Sequence, residues 1–464
     1  MSARKVGLLL LLLGFGAVVE TAWSVRHHLD LGPAGCRVLG GKFYGPSFAF
    51  EEHSVETVAV GTRVEVDNAF GAVQIGAGEA GRVRIGLRRV VFLPTEARAR
   101  EFASGILLRA TSAGSTLRIS TNRDELTRRD DDVGFETHLT IEVPPDTAVA
   151  VRNEHGSVDL ADVAAADVEN SFEPLHVASV KGAADLKNRH GGVRALKVGG
   201  ALTLQARHAD VEIEDAAGRV TLDVQHGNIR CTRVGGLKIE IAHGDTEVEA
   251  VRGDLEVRAK HGAIEATDVA GNADVETSFD GVRLSNVGGE ARIRSEHGEV
   301  RASGVKGALS AEASYNGVFL EGIGGPVEVA VVHGGLEASD LATGARIKAT
   351  GDDVTLDGFR GPVEIESRRG AVHLVPAGAW TEPLTVSTVH GGIRLEVPPG
   401  SRFSLEATSQ RGEVQVEVPG FTFTRTEPGR VSGALAGGGS AVKLSAEGGD
   451  VSVEARSKSA SGEM

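Results

Sequence analysis

The chain has 464 residues, a net charge of −15, 41% hydrophobic residues and 62 glycines, but only 4% aromatics. That hydrophobic content excludes wholesale disorder, the acidic balance argues against a nucleic-acid binder, and glycine without a triplet repeat is not collagen. Two cysteines, Cys36 and Cys231, are too few for a disulfide framework, so the glycines must serve turns.

The first predicted element is a targeting segment over residues 1–24. Arg4 and Lys5 precede the apolar run "VGLLLLLLGFGAVV" at 6–19, which has signal-peptide length and is short for a membrane span. Ala22 and Ser24 allow cleavage after Ser24; alternatively the run continues through Trp23 to Val25 as a single membrane anchor. Both readings place the body outside the cytoplasm. Residues 25–53 read as a linker. "LGPAGC" ends at Cys36 as a lipoprotein box would, but Pro33 stands where an aliphatic residue is wanted.

Residues 54–150 form an N-terminal β-rich module. "SVETVAVGTRVEVDNAFGAVQIG" alternates apolar and polar residues with period two, the strand signature. "PTEARAREFASG" predicts a short helix. "NRDELTRRDDDVG" predicts an exposed loop whose acids lack the spacing of a calcium-binding loop.

Residues 151–456 repeat. From His190 a flat side chain recurs at His208, His226, His243, His261, Phe279, His297, Tyr315 and His333, at a step of 18 residues and once 17. The series starts upstream at His155 and Phe172. Downstream it blurs through Gly351 and Arg369 and lengthens to His390 and Arg411. A second column of glycines, among them Gly253, Gly271, Gly289 and Gly307, marks another turn per unit. Between the turns Leu255, Val257 and Ala259 share one parity, and Ile264, Ala266 and Val269 follow. Such a unit cannot bury its apolar face alone but can when stacked on copies of itself. The prediction is an all-β parallel β-solenoid, one coil per repeat, about seventeen coils and roughly 80 Å long. A β-propeller needs longer blades and is the weaker alternative. A polar tail, 457–464, ends the chain.

The flat column raises the question of chemistry, because histidine binds metals and moves protons. Its members also include Phe172, Phe279, Tyr315, Arg369 and Arg411, which share flatness and not ligand chemistry. The expectation is a structural ladder of stacked planar side chains with no metal, cofactor or catalytic role. By parity His261 should head toward the core side of its corner. The residue two or three places on is often glycine, asparagine or aspartate ("HGN", "HGD", "FDG", "YNG"), types that tolerate positive φ in a tight turn. Cys231 fills a small interior position and reads as a buried thiol.

"THLTIEVPPDTAVAVRNEHGSVDL" near residue 150 has a near copy at 389–416, "VHGGIRLEVPPGSRFSLEATSQRGEVQV". This strand, Val-Pro, strand, glycine-turn pattern, followed by short x-G-x-V-x-[VL] coils, resembles the bacterial adhesin-domain family of unknown function. The resemblance covers nearly everything after residue 53. It implies a β-helical envelope protein and lends no catalytic residues.

Three functions compete. The first is a non-catalytic, adhesin-like binding or scaffold rod, with an envelope protein or surface ligand as partner. The second is a polysaccharide-active β-helix enzyme, which wants convergent carboxylates and aromatic platforms; Trp23 and Trp380 are the only tryptophans. The third is a scaffold polymerising end to end, resembling bactofilins, against which the polar tail and irregular N-terminal module count as caps.

Overall fold

The structure is a computed structural model describing residues 37–39, 42–44, 46–129 and 132–456. The expected targeting segment, Cys36 and the polar tail lie outside the described residues.

Alternating residues make each coil two strands, and the two strands join different sheets. In the coil around His261, Leu255–His261 lies in one sheet (sheet I) and Ile264–Val269 in the facing sheet (sheet II). Neighbouring coils pair in parallel and in register: Leu255 beside Ala273, Val257 beside Val275, Ile264 beside Val282. Leu255, Val257, Ala259, Ile264, Ala266 and Val269 point between the sheets and are 0–6% exposed. The core is therefore one continuous column of mostly Val, Leu, Ile and Ala. Cys231 belongs to it at 0% exposure, and burial pushes its thiol up to about 12.

Val269 breaks the period-two rule, and the backbone explains how. Asp268 adopts φ +59°, which turns the next side chain inward. The same site is left-handed at Asp215, Arg233, Ala250 and Asn286, and is glycine at 304, 322 and 358. A left-handed non-glycine residue costs about 1–2 kcal/mol, whereas burying a valine gives about 1.5–3 kcal/mol, so burial wins narrowly.

Eighteen two-strand rungs stack in this way, about 80 Å of rod. Fourteen follow chain order, from Ala148–His155 to Ile393–Val397. Two rungs at each end do not. At the start, Arg63–Phe70 sits between Ala148–His155 and Thr116–Thr121, so the earlier segment is the inner one. At the finish, Ser440–Ala446 inserts between Leu384–Thr388 and Phe403–Ser409, and Val451–Ala455 between Ile393–Val397 and Val414–Glu417. The solenoid thus runs through the stretch expected as an N-terminal module.

Among the described residues antiparallel strands then cover three of the four sheet ends, leaving Val414–Glu417 as the outer strand of sheet II at the far end. Arg82–Phe92 and Ser47–Thr57 cover one end of sheet II, and Leu108–Ala113 covers sheet I. Arg430–Leu435 and Phe421–Glu427 cover sheet I at the other end. The predicted helix is Glu96–Ser104. Its Ala99 and Ala103 pack with Val91, Ile106, Leu126 and Phe135 in a small separate cluster. The stretch expected as an exposed loop contains a second helix, Arg123–Arg129, held by buried Leu126.

Candidate functional site

The flat column forms the corner where sheet I turns into sheet II. After five of the rings (His155, His190, His226, His243 and His261) a glycine takes positive φ: Gly156 (132°), Gly191 (96°), Gly227 (139°), Gly244 (136°) and Gly262 (118°). This tight corner swings the ring off the strand before parity can direct it inward. The ring position is therefore on the outside, which corrects the expectation of a core-facing side chain. Phe172, Phe279 and Tyr315 are 42–54% exposed, His190, His208, His226, His243, His297, His333 and His390 are exposed, and His155 and His261 are half-buried.

The rings lie on one another. Centroids are 4.5 Å apart for His155 and Phe172, 5.1 Å for His190 and His208, 5.0 Å for His208 and His226, and 4.7 Å for both pairs around His243. These pairs are within 8° of parallel. The stack continues through Phe279, His297 and Tyr315 to His333. Phe70, in "DNAFGAVQI", extends it one ring below His155 at 4.2 Å. The Arg123 guanidinium covers the Phe70 ring at 4.4 Å and so ends the stack. At the far end Gly351 and Arg369 interrupt the series. His390 stands beyond them with no ring contact among the described residues.

Two polar columns fix this corner, and the sequence reading missed both. Two places before the ring, Asn68, Asn153, Asn170 and Asn188 are buried. Asn153 donates to the Gly156 carbonyl at 2.7 Å and to Asn170 Oδ1 at 3.3 Å; Asn188 donates to the Gly191 carbonyl at 2.7 Å. Ser295 does the same duty further along, exchanging bonds with Gly298. The signal was visible as an N-x-[HF] spacing. Two places after the ring, Asp210, Asn228 and Asp245 are of types that tolerate positive φ but do not use it; each accepts from a backbone N–H of the next coil, as Asp210 does from Asn228 at 2.8 Å and Asp245 from Ala263 at 2.9 Å.

Flat outward rows flank the corner. Along sheet II, Arg194 faces Glu212 at 3.5 Å and Arg230 faces Glu247 at 2.5 Å. Along sheet I, Arg258 reaches Glu276 and Arg294 reaches Glu312. Each exposed pair contributes no more than about 1 kcal/mol. A shallow open groove follows the opposite corner, lined by Asp254, Asn272, Glu290, Pro326, Gly344 and Pro362 among others. Its Asp254 and Asn272 are engaged in capping the next coil's backbone.

Among the described residues no three His, Cys, Asp or Glu side chains converge on a point where a metal could sit. Parallel rings about 5 Å apart also cannot aim their nitrogens at one ion, since zinc holds histidine nitrogen at about 2.0–2.1 Å. His243 is held below the ordinary imidazole pKa, first by desolvation among its neighbours, then by the charges of His261, His226 and Lys260.

A family model described as Toastrack DUF4097 matches residues 106–454. No curated protein matches the chain. A solved structure from Clostridium sporogenes, provisionally named a cell adhesion protein, is 8% identical, with the likeness spanning 88% of this chain and 100% of that one. Its TM-score of 0.14 is too low to inform fold or role.

Proposed function

This chain belongs to the Toastrack DUF4097 family of domains of unknown function, and from that premise we propose that it is a non-catalytic rod of the bacterial envelope. It is exported by its N-terminal segment and binds or spaces other envelope components. The supporting observation is the regularity of the outward rows. Side chains such as Arg194, Glu212, Arg230 and Glu247 recur once per coil along a flat face. A repeating surface meets a repeating or extended partner at many weak points, and linked contacts multiply in effect. The antiparallel strands over three of the four sheet ends favour a rod of finite length over end-to-end growth.

The test uses the full chain. It should fractionate with the envelope, retain isolated envelope material on a column, and release no product from a panel of polysaccharides. Product release abolished by a point substitution would overturn the non-catalytic reading. Filaments in electron micrographs would overturn the finite rod.

A further inference from the structure

Five histidines, His190, His208, His226, His243 and His261, occupy five successive coils with no other ring type between them. Their faces are spent on one another, so only their edges meet solvent. Their ring nitrogens have no hydrogen-bond partner among the described residues. The edge thus offers a straight line of unused N–H donors at a step of about 5 Å, over about 20 Å.

The charges around this line nearly cancel at neutral pH. From sheet I, Arg189, Arg207 and Lys260 immediately precede rings, and Lys187, Asp223, Glu240 and Arg258 stand one row behind. At the corner lie Glu173, Asp210, Asp245 and Asp280; the last three accept bonds from backbone N–H groups. From sheet II come Arg194, Glu212, Arg230, Glu247 and Glu265. Seven basic groups therefore face nine acidic ones. Protonating the five imidazoles reverses that balance, on a protein whose overall charge is −15. At the same time each ring gains a second donor.

We propose that this histidine edge is a pH-gated binding site for a linear acidic polysaccharide, whose repeating carboxylates lie along the stacked rings once those rings are protonated. The assignment rests on the binding-rod reading above and names its ligand class. A carboxylate-bearing polymer fits better than single-stranded nucleic acid. Nucleic acid is held by bases stacking on open aromatic faces, and here the faces are closed. Charged N–H edges instead pair with carboxylates. Neighbouring imidazoliums repel one another, and a bound polyanion relieves that repulsion, so binding and protonation favour each other reciprocally.

Polygalacturonate is the probe, with the full chain at pH 5 and pH 7.5. Binding should be at least tenfold tighter at pH 5, weaken with added salt, and take up protons in calorimetry at pH 6 across buffers of different ionisation heat. Neutral dextran should not bind. The variant with all five histidines changed to phenylalanine keeps flat rings in the stack and should lose the acid-gated binding and the proton uptake. Should that variant not fold, His208→Gln with His243→Gln serves instead, with at least a threefold loss expected at pH 5. Equal binding at both pH values, variants that bind as the parent does, or tighter binding of single-stranded DNA would overturn the proposal. Retention of envelope material with no affinity for polygalacturonate would sink this inference and leave the rod reading standing.

Discussion

Val257 and Glu256 are adjacent in the chain and face opposite environments. Val257 is 0% exposed between the sheets, while Glu256 lies outside, 3.3 Å from Lys238 and 2.7 Å from Arg258. Val257→Asp buries a carboxylate in a thin apolar core with no partner and should cost at least about 3 kcal/mol. Glu256→Ala removes only half-exposed ion pairs and should stay within about 1 kcal/mol. Denaturant melts of the two variants give the comparison. A larger loss at Glu256 would invert the strand facing. His243 supplies a second residue-scale prediction. Its folded pKa lies below the unfolded value, so below about pH 6.5 the unfolded chain binds more protons. Its contribution to stability is present above that pH and is lost as the pH falls through the folded value. His243→Phe should therefore narrow the difference in melting temperature between pH 7.5 and pH 5, and an unchanged difference would contradict it. Strand facing at 255–259 was legible because period two leaves only two choices. The outward ring was not, because parity ends where Gly262 turns the chain.

Each turn is an element in its own right, and the two turns use glycine for different reasons. At the ring corner Gly262 needs φ +118°, which only glycine enters freely. At the other corner Gly271 and Gly289 have no positive φ. Instead the coils approach too closely for a side chain. A Cβ on Gly271 would lie 2.7 Å from the Gly253 carbonyl, and one on Gly289 2.8 Å from the Gly271 carbonyl oxygen. The sequence column of glycines located this turn, while its cause, contact between coils, is invisible until the coils are stacked. Gly271→Val should cost roughly 1–3 kcal/mol by forcing neighbouring backbones apart. By contrast Gly61→Ala, at an exposed turn with open space around it, should show only the smaller strain of its φ of +81°. Equal thermal stability of the two variants would mean that the coils can separate at no cost. The left-handed column at Asp215, Arg233, Ala250 and Asp268 escaped the sequence reading for a related reason. No residue type is required there when burial of the following apolar side chain, valine at three of these four positions and Ala216 at the other, outweighs the strain.

At the scale of the whole molecule, a uniform coil makes length a nearly free parameter. Removing residues 262–279 joins His261 to Asp280 in the same ring-turn frame that Phe279 has. The product should fold with a rod shorter by about 4.8 Å and a melting temperature close to the parent's. Removing residues 438–464 deletes 27 residues against 18 and should be far more damaging than that difference in length implies. It empties the slot between Leu384–Thr388 and Phe403–Ser409 and the slot between Ile393–Val397 and Val414–Glu417, and leaves four strand edges facing gaps. Limited proteolysis of the two deletions discriminates; equal resistance would count against the inserted rung. The repeat itself announced the solenoid, yet the order of its end rungs could not be read. Residues 440–455 look like one more coil, and nothing local says that they return inward. That return imposes a timetable on assembly. A chain delivered from its N-terminus can add fourteen coils as they arrive, each on a finished neighbour. The final slot waits for residues 440–455, and until they arrive the rod holds open a sticky cleft of its own strand edges. A chain interrupted before residue 440 should therefore be cleaved faster in limited proteolysis than one in which that cleft is filled.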